Sequence, residues 1–100
     1  MTDMTSLLIV GGDNIESLKE KLSAHGFDEV LHVSGRKTNM VRTGIPVHID
    51  LVLVLTDFVN HNLSAIVKKR ANEQSVPICF AKRSWSSIYR EVEKQFVKSV

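Results

Sequence analysis

The stretch IDLVLVL (residues 49–55) decides the fold, because it is nearly all apolar and rich in β-branched residues. An apolar run of this kind is typical of a strand that is covered on both faces, as in the centre of a parallel sheet. Thr56 and Asp57 follow the run and end it. The stretch therefore predicts a central strand over residues 49–55.

Outward from this strand, helical and strand-like patterns alternate along the chain. Short apolar runs predict strands over residues 7–10, 30–33 and 76–80. Apolar residues at helical spacing predict a helix that ends at His25-Gly26, a second that runs to about residue 73, and an amphipathic helix that begins near Trp85. Residues 38–42 can form one helical turn. Asp13 and Glu16 have the spacing of an N-cap and its N3 partner.

The alternation predicts one α/β domain over residues 1–100. Strands that alternate with helices form a mainly parallel sheet with helices on both faces. Right-handed crossovers then favour the strand order 2-1-3-4, so we expect a small three-layer Rossmann-like domain with four strands. Pro77 favours an edge position or the start of the last strand. Ser84 or Ser86 is expected to cap the last helix.

Composition excludes several classes of protein. The longest apolar runs fall well short of the ~18 residues of a membrane helix, and the N-terminus lacks the pattern of a signal peptide. The single cysteine, Cys79, sits in a strand and is expected to be a small core residue. We therefore expect a cytoplasmic protein with no membrane partner. Residues 68–100 hold eight Lys/Arg against three Asp/Glu, whereas residues 1–67 hold five against eight.

The predicted strands end in loops that are rich in glycine, hydroxyl and charged residues. In parallel sheets, ligands bind at the carboxyl ends of the strands, near the point where the winding reverses. Four loops should therefore bring their polar residues to one edge. The candidate ligand-binding residues on these loops are Gly11, Gly12, Asp13, Gly35, Arg36, Thr56, Asp57 and Ser84, with Ser34, Lys82 and Arg83 beside them.

Each of these residues has a structural and a chemical interpretation. Gly11-Gly12 either shapes a turn or lets a phosphate approach a helix N-terminus. The full G-x-G-x-x-G fingerprint is absent, because Asp13 stands at the second spaced glycine position. Asp13 either caps the helix or binds a ribose hydroxyl or a metal. Arg36 is either a solvated surface residue or donates two parallel hydrogen bonds from its guanidinium to a phosphate. A helix that begins at Asp57 would place His61 on the same face, near the helix N-terminus.

Several motifs together resemble one known family. They are GGD after the first strand, Gly-Arg after the second, TDFVNH after the central strand, a lysine-bearing helix and a proline in the last strand. In this order they resemble the bacterial domain of unknown function 2325 family over roughly residues 7–90. Asn60 stands where the family pattern has a serine or similar residue. The resemblance implies a compact Rossmann-like domain and supplies no activity. Its motif positions are Gly11, Gly12, Gly35, Arg36, Asp57, His61 and Lys68.

The sequence favours a binding or sensing module for a phosphate-containing ligand, a nucleotide, over an enzyme. It assigns no catalytic residue, metal ligand or cofactor. Two alternatives stay open. One is a phosphoacceptor or metal-assisted enzyme centred on Asp57 and His61, with Asp13 as a further ligand. The other is a nucleic-acid or protein interaction module that uses the basic C-terminal third. A four-stranded domain also has an exposed edge strand, so we expect a homodimer through the last strand or the Trp85 helix.

Overall fold

A computed structural model of the chain describes residues 6–34 and 44–97, and the predicted alternation of elements is present within them. The strands are β1 (Ser6–Val10), β2 (Glu29–Val33), β3 (Leu51–Leu55) and β4 (Ile78–Ala81). The α-helices are α1 (Glu16–Ala24), α2 (His61–Glu73) and α3 (Trp85–Val97), and a short 3₁₀ helix spans Thr56–Phe58. The helical turn predicted over residues 38–42 lies outside the described residues, as do Gly35 and Arg36.

The four strands form one sheet in the order β2-β1-β3-β4, and each of the three pairings is parallel. The predicted strand order and the parallel sheet are therefore confirmed. In the register of the sheet, Leu8 on β1 lies between Leu31 on β2 and Val52 on β3. Every residue of β1 and β3 is buried. Continuous burial explains why residues 7–10 of β1 and the whole of β3 are uninterrupted apolar runs rather than alternating ones.

Helices cover both faces of the sheet, which gives the molecule three layers. On one face, Leu18 and Leu22 of α1 join Ile88 and Val92 of α3 in a cluster with one side of each strand. On the other face, α2 packs together with residues 45–49; the apolar residues that they contribute are Ile45, Ile49, Leu63, Val67 and Ala71. Among the described residues, no helix is long and apolar enough to cross a membrane.

Two strands begin later than the sequence predicts. The central strand starts at Leu51 rather than Ile49, although Ile49 is buried against α2. β4 starts at Ile78, directly after Pro77. The carbonyl of Pro77 accepts a hydrogen bond from the amide of Val52 at 3.0 Å. Pro77 therefore stands at the start of an edge strand, where its missing N–H costs no ladder bond.

Helix α1 begins later than predicted, and the prediction that Asp13 caps it is wrong. The residue before the helix is Ile15, and no side chain caps the first turn. The backbone uses Gly11, Gly12 and the exposed Asp13 to turn away from the sheet before it becomes helical. The predicted end is correct: Gly26 has a φ of 108°, and its amide bonds back to Ser23, as in a Schellman motif.

The other two helices are capped by polar side chains. Asn60 Oδ1 accepts a hydrogen bond from the amide of Leu63 at 2.7 Å, so α2 begins at His61. Asp57 lies in the preceding 3₁₀ helix, and the shared helix face expected for Asp57 and His61 is therefore not formed. Ser84 Oγ accepts from the amide of Ser87 at 3.4 Å, in agreement with its predicted role as the cap of α3.

Candidate functional site

The carboxyl ends of the four parallel strands meet at one edge of the sheet, which we call the rim. Within the described part of the chain it consists of residues 11–14 after β1, Ser34 after β2, residues 56–61 after β3 and residues 82–84 after β4. The α1, α2 and α3 helices all begin at this edge. The rim therefore combines polar loops with three helix N-termini, whose amides and dipoles favour anions.

The Gly11-Gly12 turn has a steric reason to contain glycine. Both residues have positive φ, 108° and 84°, a conformation that other residues rarely adopt. A Cβ atom on Gly11 would lie 3.0 Å from Val59 Cγ1 and 3.2 Å from the carbonyl oxygen of Leu55. A Cβ atom on Gly12 would lie 3.3 Å from Ile15 Cγ2. The space that these glycines leave is thus filled by the chain itself, and the turn needs glycine whether or not a ligand binds.

His32 holds this turn from the neighbouring strand. Its Nε2 atom lies 2.8 Å from the carbonyl oxygen of Gly12 and 3.1 Å from that of Gly11. Carbonyl oxygens only accept hydrogen bonds, so Nε2 carries the proton and donates to both. Sequence reasoning missed His32. The available signal was a polar residue inside the otherwise apolar VLHV run of β2.

Three further hydrogen bonds tie the loops of the rim together. Asp57 Oδ2 accepts from the amide of Arg83 at 3.3 Å. The Arg83 side chain continues across the rim, and its Nη2 donates to the carbonyl of Asn14 at 2.6 Å. Thr56 Oγ1 donates to the carbonyl of Ala81 at 3.4 Å. The loops after β1, β3 and β4 therefore form one connected surface, with the Arg83 guanidinium at its centre.

Two cavities open beside Arg83 and the start of α3. The smaller, of about 60 Å³, lies between the first turns of α1 and α3 and is lined by Ser17, Leu18, Lys21, Arg83, Ser84, Trp85 and Ile88. The larger, of about 280 Å³, lies at the end of β4 and is lined by Thr56, Phe80, Ala81, Lys82, Ser87, Arg90 and Glu91. Each cavity contains two cationic side chains, and only the larger contains a carboxylate.

The structure brings most of the predicted site residues to the rim. Lys68 is not among them: it is exposed in the middle of α2, about 10 Å along the helix axis from His61. Gly35 and Arg36 lie outside the described residues. In the described ranges, no group of three or more His, Cys, Asp or Glu side chains could hold a metal ion, so Asp13, Asp57 and His61 do not converge on one. The predicted residues that do lie at the rim are Gly11, Gly12, Asp13, Thr56, Asp57, His61 and Ser84.

Two side chains with shifted pKa values lie away from the rim loops. Burial, with a smaller contribution from Glu91, raises the pKa of the Cys79 thiol to about 12. Cys79 is a core residue of β4, as expected from its place in a strand. The carboxylate of Glu93, one turn along α3, raises the pKa of Tyr89 through its charge and through a hydrogen bond at 3.2 Å. Because its pKa is so high, the Cys79 thiol is neutral and unreactive at ordinary pH.

The strand order, the helices on both faces and the polar rim define a small Rossmann-like α/β domain. Residues 6–95 match the family model described as an uncharacterized protein conserved in bacteria, DUF2325, and the chain belongs to this family. The resemblance noted from the sequence motifs is thereby confirmed. No curated protein and no solved structure matches the chain.

Proposed function

We propose that this domain binds a phosphate-containing small molecule, a nucleotide, at the rim and acts as a binding or sensing module. The observation that carries the proposal is the link between Arg83 and the loop after the Gly11-Gly12 turn, through Asn14. This contact holds a guanidinium, which forms strong hydrogen bonds to phosphate, beside the first turns of two helices.

The phosphate end of the ligand is assigned to the smaller cavity and the adjacent turn. There, Arg83 and Lys21 supply positive charge, while Ser17 and Ser84 supply hydroxyl groups. A cavity of about 60 Å³ has room for a few water-sized groups, which is the scale of one phosphoryl group. Arg36, which follows β2 in the sequence, is proposed to add a second guanidinium. Lys68 lies too far along α2 to contribute directly.

The remainder of the nucleotide is assigned to the loops after β1 and β3. Asp57 and Asp13 have carboxylates suited to a ribose hydroxyl or a base amine, and His61 adds a directional hydrogen bond at the start of α2. Thr56 connects this region to the larger cavity at the end of β4. We place the protein in the cytoplasm, with its buried Cys79 in the reduced form.

Calorimetric titration with ADP and with adenosine tests this proposal. We expect ADP to bind and adenosine to bind at least ten-fold more weakly, because only ADP has phosphates. Arg83→Gln and, separately, Arg36→Ala should each weaken ADP binding about ten-fold or more, since a hydrogen bond to a charged group contributes roughly 1.5–3 kcal/mol.

The matched control is Lys94→Gln, which removes a positive charge from α3 about 13 Å from the N-terminus of that helix. ADP affinity should be unchanged in this variant. Equal losses in Arg83→Gln and Lys94→Gln would show a general charge effect instead of a site at the rim. The absence of ADP and phosphate binding to the unaltered protein, by calorimetry and by native mass spectrometry, would show that the proposal is wrong.

A further inference from the structure

A further cavity, of about 180 Å³, lies away from the rim, between the end of α1 and the middle of α3. Its apolar floor consists of Leu22, Phe27 and Val92, which are buried core residues. A protein cavity of about 150 Å³ with an aliphatic and aromatic lining holds one benzene molecule. This cavity therefore has room for one ring-sized apolar group and a short chain attached to it.

Three aromatic rings, those of His25, Trp85 and Tyr89, line the same cavity. Their centroids lie 5.2–5.8 Å apart, and the ring planes are tilted by 38–58° to one another. The face of a tryptophan or tyrosine ring attracts a cation through the ring quadrupole. One ammonium group already lies at this cluster, since Lys21 Nζ is 5.6 Å from the Trp85 ring centroid. Lys21 lines the smaller rim cavity and not this one, whereas Trp85 lines both.

The charge that lines the cavity is negative. Among the described side chains it includes the carboxylate of Glu93 and no lysine or arginine. Glu93 Oε2 accepts a hydrogen bond from the Tyr89 hydroxyl at 3.2 Å, and within the described part of the chain Glu93 has no other polar partner. A carboxylate accepts several hydrogen bonds, so Glu93 retains acceptor capacity for a ligand. The two rim cavities each contain two cationic side chains, so the charges favour a cation here and an anion there.

We propose that the cavity between α1 and α3 binds a compact organic cation, an arylalkylamine, in which a short chain joins an ammonium group to one aromatic ring. The ring of the ligand packs on the buried apolar floor and against the aromatic side chains. The ammonium group lies at the exposed side of the cavity, against Tyr89 and the carboxylate of Glu93. This ligand differs from the phosphate-containing molecule assigned to the rim, and the inference does not rest on the proposed function.

Titration with three compounds of similar shape tests the proposal: 2-phenylethylammonium, neutral 2-phenylethanol and anionic phenylacetate. Trp85 is the only tryptophan in the chain, so its fluorescence reports binding next to its ring. NMR shifts of the Leu22 and Val92 methyl groups distinguish this cavity from the smaller rim cavity. We expect the ammonium compound to bind about five-fold more tightly than the alcohol and at least about ten-fold more tightly than phenylacetate.

Variants on α3 separate the charge from the apolar cavity. Glu93→Gln keeps an oxygen for the Tyr89 hydroxyl but removes the charge. It should weaken binding of 2-phenylethylammonium about five-fold and leave that of 2-phenylethanol unchanged, which also shows that the cavity is intact. Glu91→Gln is the matched control, because it removes the same charge from a side chain that lines the larger rim cavity instead. Its affinity for the ammonium compound should be unchanged.

Three results would overturn the proposal. The first is equal affinity for the ammonium compound and the alcohol, or an equal loss in Glu93→Gln and Glu91→Gln, which would show an apolar cavity without preference for a cation. The second is no shift of the Leu22 and Val92 methyl groups with any of the three compounds. The third is affinity that falls as the protein concentration rises, which would show that a second copy of the chain covers the cavity. None of these results bears on ADP binding at the rim, so the proposed function is tested separately.

Discussion

Gly11 and Gly26 have the same backbone φ angle but different surroundings. Comparing them separates two reasons why a position needs glycine: the backbone conformation and the lack of space for a side chain. Each has a φ of 108°. A Cβ atom on Gly26 would meet nothing within 4 Å, whereas one on Gly11 would press on Val59 and on the backbone of Leu55. Leu55 belongs to the buried strand β3, which is paired with a strand on each side. Gly26 therefore serves conformation alone, while Gly11 serves conformation and close packing.

We predict that Gly11→Ala destabilises the domain more than Gly26→Ala. Both variants should lose about 1–2 kcal/mol, because alanine is strained at positive φ. Gly11→Ala should lose at least about 1 kcal/mol more, because overpacking a buried site typically costs 1–3 kcal/mol. Urea unfolding followed by circular dichroism measures both values. Equal losses would mean that the neighbours of Gly11 give way and that only the backbone angle matters.

Of the three described helices, α2 and α3 begin at a polar side-chain cap, and α2 is the clearer case. Asn60 accepts from the amide of Leu63 at 2.7 Å, a short and well-formed cap. The resemblance to the family implies a serine or similar residue at this position; serine is also a strong N-cap residue, so Asn60 can take the same role. The departure from the pattern therefore preserves the start of α2 and the placement of His61.

We predict that Asn60→Ala lowers the free energy of unfolding by about 1 kcal/mol and that Asn60→Ser changes it by only a few tenths. Ser84→Ala, at the start of α3, should have a smaller effect than Asn60→Ala, since its hydrogen bond is longer at 3.4 Å. Thermal and urea unfolding give the ranking. A loss in Asn60→Ser as large as in Asn60→Ala would contradict a capping role for this side chain.

Sequence patterns predicted the elements well because each pattern is local. The runs at residues 7–10 and 49–55 and the helical spacing of Leu18 and Leu22 depend only on neighbouring positions. The start of α1 was misplaced because the Asp13–Glu16 spacing suits a cap, while the turn at Gly11 and Gly12 carries the chain past it. In the same way, the 3₁₀ helix after β3 delays α2 to His61.

The contacts of the rim were less predictable than the rim itself. Residue types placed Asp57 and Ser84 at the carboxyl edge of the sheet, where the structure has them. The roles of His32 and Arg83 depend on backbone carbonyls in a distant loop; Arg83 and Asn14 are 69 positions apart. Neither pattern nor spacing contains such contacts, since they arise only once four strands are aligned.

At the scale of the whole molecule, the sheet has two open edges within the described part of the chain. β2 and β4 each pair with one strand only. The α3 helix forms an aromatic cluster with the residue that follows α1: the rings of His25, Trp85 and Tyr89 lie with their centroids 5.2–5.8 Å apart. Tyr89 is 40% exposed, so the cluster presents part of an aromatic ring at the surface.

We predict a homodimer that uses the α3 face or the β4 edge. Light scattering across micromolar concentrations should give twice the chain mass of 11.2 kDa. Tyr89→Arg should shift the mass to that of a monomer, because a charge in an apolar contact is costly to bury. Val47→Arg, at a residue that is 96% exposed on the other face, is the control. A monomer mass for the unaltered protein at all concentrations would contradict the prediction.

The parallel pairing of β1 with both neighbours has a consequence for how the chain folds during synthesis. Ser6 contacts Glu29, 23 positions later, and Asp50, 44 positions later, so β1 has no partner close in sequence. At a translation rate of about 5–20 residues per second, the segment that pairs with its inner edge is made about 2–9 seconds after β1. Throughout that interval the apolar LLIV run (residues 7–10) has unpaired backbone N–H and C=O groups. A strand exposed in this way can pair with another chain and aggregate. Nascent chains of this domain are therefore expected to depend on chaperones until β3 is complete.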